Sequence, residues 1–357
     1  MANITDKAES DSIPKHGPSS DHSEIADLAA DLAKAVRNGS RRALARAITL
    51  VESQKDEHRK ASAQLMQRCA GLPSDTVRIG ITGPPGAGKS TLIEQLGCLM
   101  VAKGHQVGVL AFDPASDRGC GAVLGDKTRM EKLASLNNAF IRPSIGPGGA
   151  GGVHMAAADI IALCAHAGFN HIIIETVGSG QGDYAILHLC DMLILAQSPA
   201  AGDVLQGMKR GIMELVDCII VTKADGTLEH EALRQKAELL SAIAFMQPRN
   251  RGWTVPVLTV SALNQTGLED LLDHCRQFAC HQQATGAWEA NRTLQRRHQL
   301  LQRARWELSE RMASTAQHDP AFHALVEKLV QSNHSSIEAV DKLIEYFGRN
   351  FCKSQQA

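Results

Sequence analysis

Aromatic residues are scarce in this 357-residue chain, at 4% of the total. Proteins that stack single-stranded bases need a platform of rings, so that class of nucleic-acid binding is not expected. An excess of either charge is also missing. Thirty-seven Lys and Arg stand against 38 Asp and Glu, a formal net charge of −1. Such a balance offers neither a basic footprint for nucleic acid nor an acidic tail for a basic partner. No apolar run reaches the roughly 18 residues that cross a bilayer, so no membrane segment is expected. The nine cysteines are scattered, none of them in a C-x-x-C pair. Free thiols in a chain of this size suggest a reducing compartment, and the expected location is cytoplasmic. The first 22 residues are polar, contain Pro14 and Pro18 and carry both signs of charge. They fit neither a signal peptide nor an Arg-rich transit peptide, and residues 1–22 read as a disordered tail.

What the chain does have is Gly83-Pro84-Pro85-Gly86-Ala87-Gly88-Lys89-Ser90-Thr91. The spacing Gly83-x4-Gly88-Lys89-Ser90 lets main-chain amides wrap a polyphosphate. Glycine permits backbone conformations closed to residues with a Cβ. Lys89 brings a positive charge to the outer phosphates, and the Ser90 hydroxyl can ligate Mg²⁺. Val77 to Thr82, just before, is apolar and β-branched and reads as a buried strand. Ser90 to Val101, just after, has helical composition. A strand–loop–helix frame of this kind predicts a nucleoside triphosphate site.

Around this loop the chain alternates. Buried-strand candidates are 77–82, 107–112, 171–175, 192–196, 218–222 and 255–260, with helical stretches between most of them. The pattern predicts an α/β fold with a mainly parallel sheet flanked by helices, over residues 73–285. Before it, residues 23–72 read as an N-terminal helical extension. Ile25 to Val36 has helical periodicity that stops at Asn38-Gly39, Ser40 caps a second helix, and a third runs to about Cys69. After it, residues 286–357 turn helical again, and their apolar stripe needs a partner surface, either their own domain or a second copy.

Ligands in such sheets lie at the carboxyl ends of the strands, where four loaded segments fall. Asp113 follows Phe112 and either reaches the Mg²⁺ shell or simply opens the Asp113-Pro114 turn. Asp126 is a second carboxylate candidate in a loop. Glu175 ends Ile172-Ile173-Ile174 and would hold the metal, while the Gly178 amide three residues on would meet the γ-phosphate and move when it leaves. Gln181 could align a water. Lys223 and Asp225 follow the strand ending at Val221. An aspartate accepts two hydrogen bonds from the N1–H and amine of guanine, a donor pair that adenine lacks, which points to GTP. The Lys223 stem would pack along the base, and amides of Ser261-Ala262-Leu263 would meet the guanine carbonyl. Thr222 stands where Asn is usual in such domains and cannot supply a carboxamide. Gly146 to Gly152 lacks a following Lys-Ser/Thr and reads as a connection. His274, Cys275, Cys280 and His281 would diverge on a helix and do not read as a metal site.

With these segments in view, the chain resembles the methylmalonyl-CoA mutase-associated GTPases, which are related to the metal-delivery GTPases. The resemblance rests on residues 83–91, Gly125-Asp126-Lys127-Thr128-Arg129-Met130, Phe140-Ile141-Arg142-Pro143-Ser144, Glu175-Thr176-Val177-Gly178 and Gly202-Asp203-Val204-Leu205-Gln206-Gly207. It implies a homodimeric P-loop GTPase serving an adenosylcobalamin-dependent acyl-CoA mutase, with the cobalamin belonging to that partner. GTP binding and hydrolysis would gate cofactor loading and protect or reactivate the mutase. Mg²⁺ would lie near Ser90, Asp113, Asp126 and Glu175. Arg129 and Lys209 sit in segments resembling the family's switches, and residues 286–357 would form the dimerisation arm. Departures from the family are Thr222, Gly182-Asp183 and Asp117-Arg118-Gly119-Cys120. A kinase passing the γ-phosphate to another acceptor and a nickel-delivery GTPase of the same fold are the competing readings.

Overall fold

The computed structural model describes residues 22–53, 55–69, 71, 73, 75–113, 130–145, 156–176, 185–199, 210–332 and 335–351. The chain divides into two compact units, residues 1–289 and 290–357. In the first, helices α1 (His22–Arg37), α2 (Arg41–Glu52) and α3 (Asp56–Arg68) precede a sheet. Ser40 caps α2 by accepting a hydrogen bond from the Ala43 amide at 3.3 Å, as its sequence position predicts.

Seven strands make the sheet: β1 (Val77–Thr82), β2 (Val107–Asp113), β3 (Ala139–Ile145), β4 (His171–Thr176), β5 (Met192–Gln197), β6 (Cys218–Val221) and β7 (Val257–Thr259). All described pairings are parallel, in the order β3-β2-β4-β1-β5-β6-β7. The connections carry α4 (Lys89–Ala102), α5 (Glu131–Ala134), α6 (Ala157–His166), α7 (Arg210–Met213) and α8 (Glu229–Ile243), and α9 (Leu268–Ala284) follows β7. Six strands fall where the apolar patterning puts them, and β3 is additional. Its apolar start, Ala139-Phe140-Ile141, is cut short by Arg142-Pro143, which hides a strand from a hydrophobicity reading. Proline has no N–H for a ladder, yet β3 lies at the sheet edge and pairs with β2 on one side, a position that tolerates it.

Strand alternation divides the core into two layers. Ile172, Ile174, Leu193, Leu195, Ile219 and Val221 face one side, packed with residues of α1–α3, α6 and α8. Ile79, Ile81, Ile173, Ile194 and Ile220 face the other, with residues of α4 and α9. The N-terminal helices are thus part of the first unit's core. They are also tied to the β3 side of the sheet. Arg41 donates to the main-chain oxygens of Leu136, Asn137 and Ala139, and Arg142 of β3 pairs with Glu52 at 2.6 Å.

At the amino ends of the strands, His171 lies against His105 with ring centroids 4.2 Å apart. Burial, with a smaller push from His105, lowers the His171 pKa from its ordinary 6.5 to about 4, partly opposed by Asp75. The folded state therefore resists a proton that the unfolded chain accepts below pH 6.5. Stability from this site is complete above that pH and is lost as pH falls towards 4, by up to about 3 kcal/mol. Chemical denaturation between pH 7 and 4 should show a shallower loss in H171N than in the parent chain. Parallel curves would discount His171.

The second unit contains most of α10 (Ala287–His318), then α11 (Pro320–Gln331) and α12 (Ser336–Phe351). Asp319 caps α11 through the Ala321 amide at 2.9 Å, with Pro320 in the first turn. The Tyr346 hydroxyl donates to Asp319 at 2.7 Å, a bond that lowers the carboxyl pKa and joins α12 to the start of α11.

Candidate functional site

The phosphate loop leaves the carboxyl end of β1 and enters α4, so its amides meet the positive end of a helix dipole. Gly83 has φ 147°, and a Cβ there would lie 2.0 Å from the Ala196 carbonyl oxygen. Only glycine lets the loop cross the end of β5 so closely. Gly88, just before α4, has φ 82°, in the left-handed region that favours glycine. Lys89 is buried inside the turn, and its ammonium donates to the carbonyls of Gly83 at 2.7 Å and Pro84 at 3.1 Å. Its charge is thus held within the loop.

Ser90 is the second residue of α4 and donates through its hydroxyl to Glu175 Oε1 at 3.2 Å. Ile81 and Glu175 are register partners across β1 and β4, which explains how residues 85 positions apart meet. Next to them the Thr176 hydroxyl donates to that of Thr82 at 3.3 Å. Two side-chain oxygens brought together from different elements are the donor type that could hold a hard cation such as Mg²⁺. Asp113 is the last residue of β2, two strands from β1 and on the same edge of the sheet. Asp126, Arg129, Gly178, Gln181 and Lys209 lie outside the described residues, as do residues 1–21 of the expected tail, whose last residue, His22, opens α1, and the Gly146–Gly152 run.

The residues expected to meet the base follow the ends of β6 and β7. Ser261 is fully buried and its hydroxyl donates to the Asp225 carboxylate, fixing the side chain that would read guanine. This differs from the expected role of Ser261, because its amide already donates to the Thr266 carbonyl at 3.0 Å. Ala262 and Leu263 follow it in the same loop, with Leu263 78% exposed. Lys223 adopts φ 53°, and its Cε lies 3.7 Å from where a Cβ on Gly88 would be. Its stem thus runs along the phosphate loop. Sequence reasoning missed the Thr82–Thr176 pair, although a threonine closing each of two strands was a visible signal. It also missed the contacts of Thr222, whose partners are backbone atoms. Cys275 is buried and Cys280 exposed, while His274 faces the Asp270 carbonyl and His281 that of Arg251.

The phosphate loop, the Ser90–Glu175 pair and Asp225 all lie at the carboxyl ends of strands in one parallel sheet. Residues 44–317 match the family described as Methylmalonyl Co-A mutase-associated GTPase MeaB. The Mycobacterium tuberculosis protein named Probable GTPase Rv1496 is 47% identical over 263 residues, covering 74% of this chain and 78% of the relative. The mouse protein named Methylmalonic aciduria type A homolog, mitochondrial, is 42% identical over 267 residues, covering 72% of this chain and 64% of the relative. A solved structure titled LAO/AO transport system kinase superposes with a TM-score of 0.70 at 28% identity, covering 90% of this chain and 98% of that one. No helix among the described residues is long and apolar enough to cross a membrane.

Proposed function

The chain belongs to the methylmalonyl-CoA mutase-associated GTPase family, and from that premise we propose that it hydrolyses GTP to gate adenosylcobalamin loading into an acyl-CoA mutase and to protect or reactivate that enzyme. The observation carrying the nucleotide part is the Ser90–Glu175 hydrogen bond beside the phosphate loop. It joins the helix that receives the phosphates to the strand leading towards Gly178, so a change at the γ-phosphate has a route into the following segment. Ser90 and Glu175 would hold Mg²⁺, with Asp113 and Asp126 as further candidates. The ion would supply charge neutralisation between the β- and γ-phosphates. Lys89 would face the same oxygens. Gly178 and Gln181 would contact the γ-phosphate and the attacking water, and Arg129 and Lys209 would report nucleotide state to the mutase. Asp225, held by Ser261, would select guanine.

The partner reading is supported by the family description and by the name of the mouse relative. A homodimer belongs to the same reading. Leu294, Leu301 and Leu308 recur every seven residues along α10 and are 63%, 50% and 50% exposed, the spacing of a helix–helix seam. Methylmalonyl-CoA mutase added to the purified chain should form a complex and raise GTP turnover severalfold. No capture and no stimulation would overturn the partner and leave the nucleotide site standing. Transfer of labelled γ-phosphate to an acceptor other than water would replace hydrolysis by the kinase activity that the solved relative's title names.

A further inference from the structure

The main-chain ladder between β1 and β4 ends at the pair Ile81 and Glu175. On its other side β1 stays paired with β5 one residue further, where Thr82 faces Leu195. β4 likewise stays paired with β2 as far as Thr176 and Phe112. The carboxyl edge of the sheet is therefore one ladder pair short between β1 and β4. There the Thr176 hydroxyl donates to that of Thr82 at 3.3 Å. Both residues are almost fully buried, and so is Phe112 beside Thr176. A bond lost at this point is not replaced by solvent.

The place matters because the two oxygens expected to hold Mg²⁺ lie on opposite sides of this gap. Ser90 belongs to α4, which continues from β1 through the phosphate loop, and Glu175 belongs to β4. Asp113, a further candidate, ends β2 on the β4 side. The phosphate loop, by contrast, lies wholly on the β1 side, where Gly83 crosses the end of β5. Strand alternation puts Glu175 on the sheet face that packs α4 and Thr176 on the other face. The end of β4 is thus held from both faces, by Ser90 on Glu175 and by Thr82 on Thr176.

We propose that Thr176 is a positioning residue for the cation site. Its bond to Thr82 joins the two strands where their ladder stops and sets the separation between Ser90 and Glu175. Nucleotide without metal needs only the β1 side and is indifferent to this bond. The inference rests on the Mg²⁺ and GTP reading and adds to it a control of metal affinity from outside the candidate ligands.

Three variants test it. T176V keeps the shape and removes the hydroxyl, T176S keeps the hydroxyl, and T82V/T176V leaves neither hydroxyl facing a methyl group. A non-hydrolysable GTP analogue is titrated into each by calorimetry, first in EDTA and then across a range of Mg²⁺ concentrations. Thermal unfolding is followed without nucleotide. T176V should need about five- to tenfold more Mg²⁺ to reach half of the affinity gain, while its affinity in EDTA stays within about twofold of the parent. T176S should lie within about threefold of the parent in both measurements. The double variant should melt closer to the parent than T176V does, because both polar partners are gone. It should nevertheless keep the raised Mg²⁺ requirement, which separates positioning from stability. A parent-like Mg²⁺ requirement in T176V overturns the proposal, as does a T176S as demanding as T176V. A loss of equal size in EDTA also overturns it, because the bond would then serve the phosphate loop. So does a double variant that regains the parent's Mg²⁺ requirement, which would reduce the pair to a matter of burial. A parent chain whose affinity for the analogue is unmoved by Mg²⁺ is a separate result and overturns the metal reading beneath it.

Discussion

Replacing Lys89 with alanine should weaken GTP and GDP binding by at least about 10²-fold and abolish measurable GTP turnover. The reason is the placement of one charge. Lys89 is 7% exposed and its ammonium already sits among the loop carbonyls of Gly83 and Pro84, so little water screens it from an anion in the loop. At an effective dielectric of about 20, a unit charge some 4 Å away contributes on the order of 4 kcal/mol. Part of this is offset by the cost of stripping water from the phosphates, which leaves two or more tenfold steps. The carbonyl contacts add a second effect, because alanine releases the two oxygens that define the turn. K89Q separates the two contributions. Its amide can still donate to a loop carbonyl, but it carries no charge, so it should bind nearly as weakly as K89A. Titration calorimetry with GDP and Mg²⁺, backed by single-turnover hydrolysis, measures both. Binding by K89A within threefold of the parent chain would remove the phosphate loop from the centre of the site.

How much of this was legible in the sequence depends on how far apart the partners are. The loop from Gly83 to Thr91 is contiguous and Lys89 acts through neighbours in the chain, so reading the motif required no fold, whereas the demand on Gly83 comes from Ala196 at the distant end of β5. Glu175 was legible for a weaker reason: a carboxylate closing a run of isoleucines marks a strand end, and strand ends converge in a parallel sheet. That inference located Ser90 and Glu175 on one edge and could not foresee their hydrogen bond. Asp225 was chosen by residue type, and Ser261 was expected to act through its amide, which the structure instead places on the Thr266 carbonyl with the hydroxyl on Asp225. Contacts made to backbone were the least visible, since no residue type advertises a carbonyl. Arg41 bonds to three such oxygens, and Thr222 meets Ala87 135 residues away. Strand β3 was concealed because Arg142 serves Glu52 and Pro143 exploits an edge, two demands that break the apolar pattern.

R78L should destabilise the first unit by about 3–5 kcal/mol, roughly 10 °C in melting temperature, and leave nucleotide affinity in the folded protein unchanged. Arg78 is the second residue of β1, and Asp191 immediately precedes β5. Both side chains are 4% exposed. Asp191 accepts the Arg78 amide at 2.9 Å and Nε at 3.1 Å, together with a bond from Nη2. Removing the guanidinium strands a buried carboxylate that a leucine cannot solvate, and that penalty, more than the lost attraction, sets the size of the effect. R78L/D191N should therefore be more stable than the sum of the two single changes implies, by about 1–3 kcal/mol. The neutral amide still offers its oxygen to the main-chain N–H of residue 78 and no longer buries a charge. Affinity is spared because the pair lies at the amino end of β1 and the phosphate loop at the other. Five residues of extended strand separate position 78 from Gly83 by about 16 Å. Equilibrium denaturation of the three variants beside the parent, with GDP titration at a temperature where all are folded, tests both halves. A single R78L change costing less than about 1 kcal/mol would mean that the aspartate finds other partners or protonates without penalty. A matching loss of GDP affinity would mean that β1 transmits disorder from its buried start to its carboxyl end.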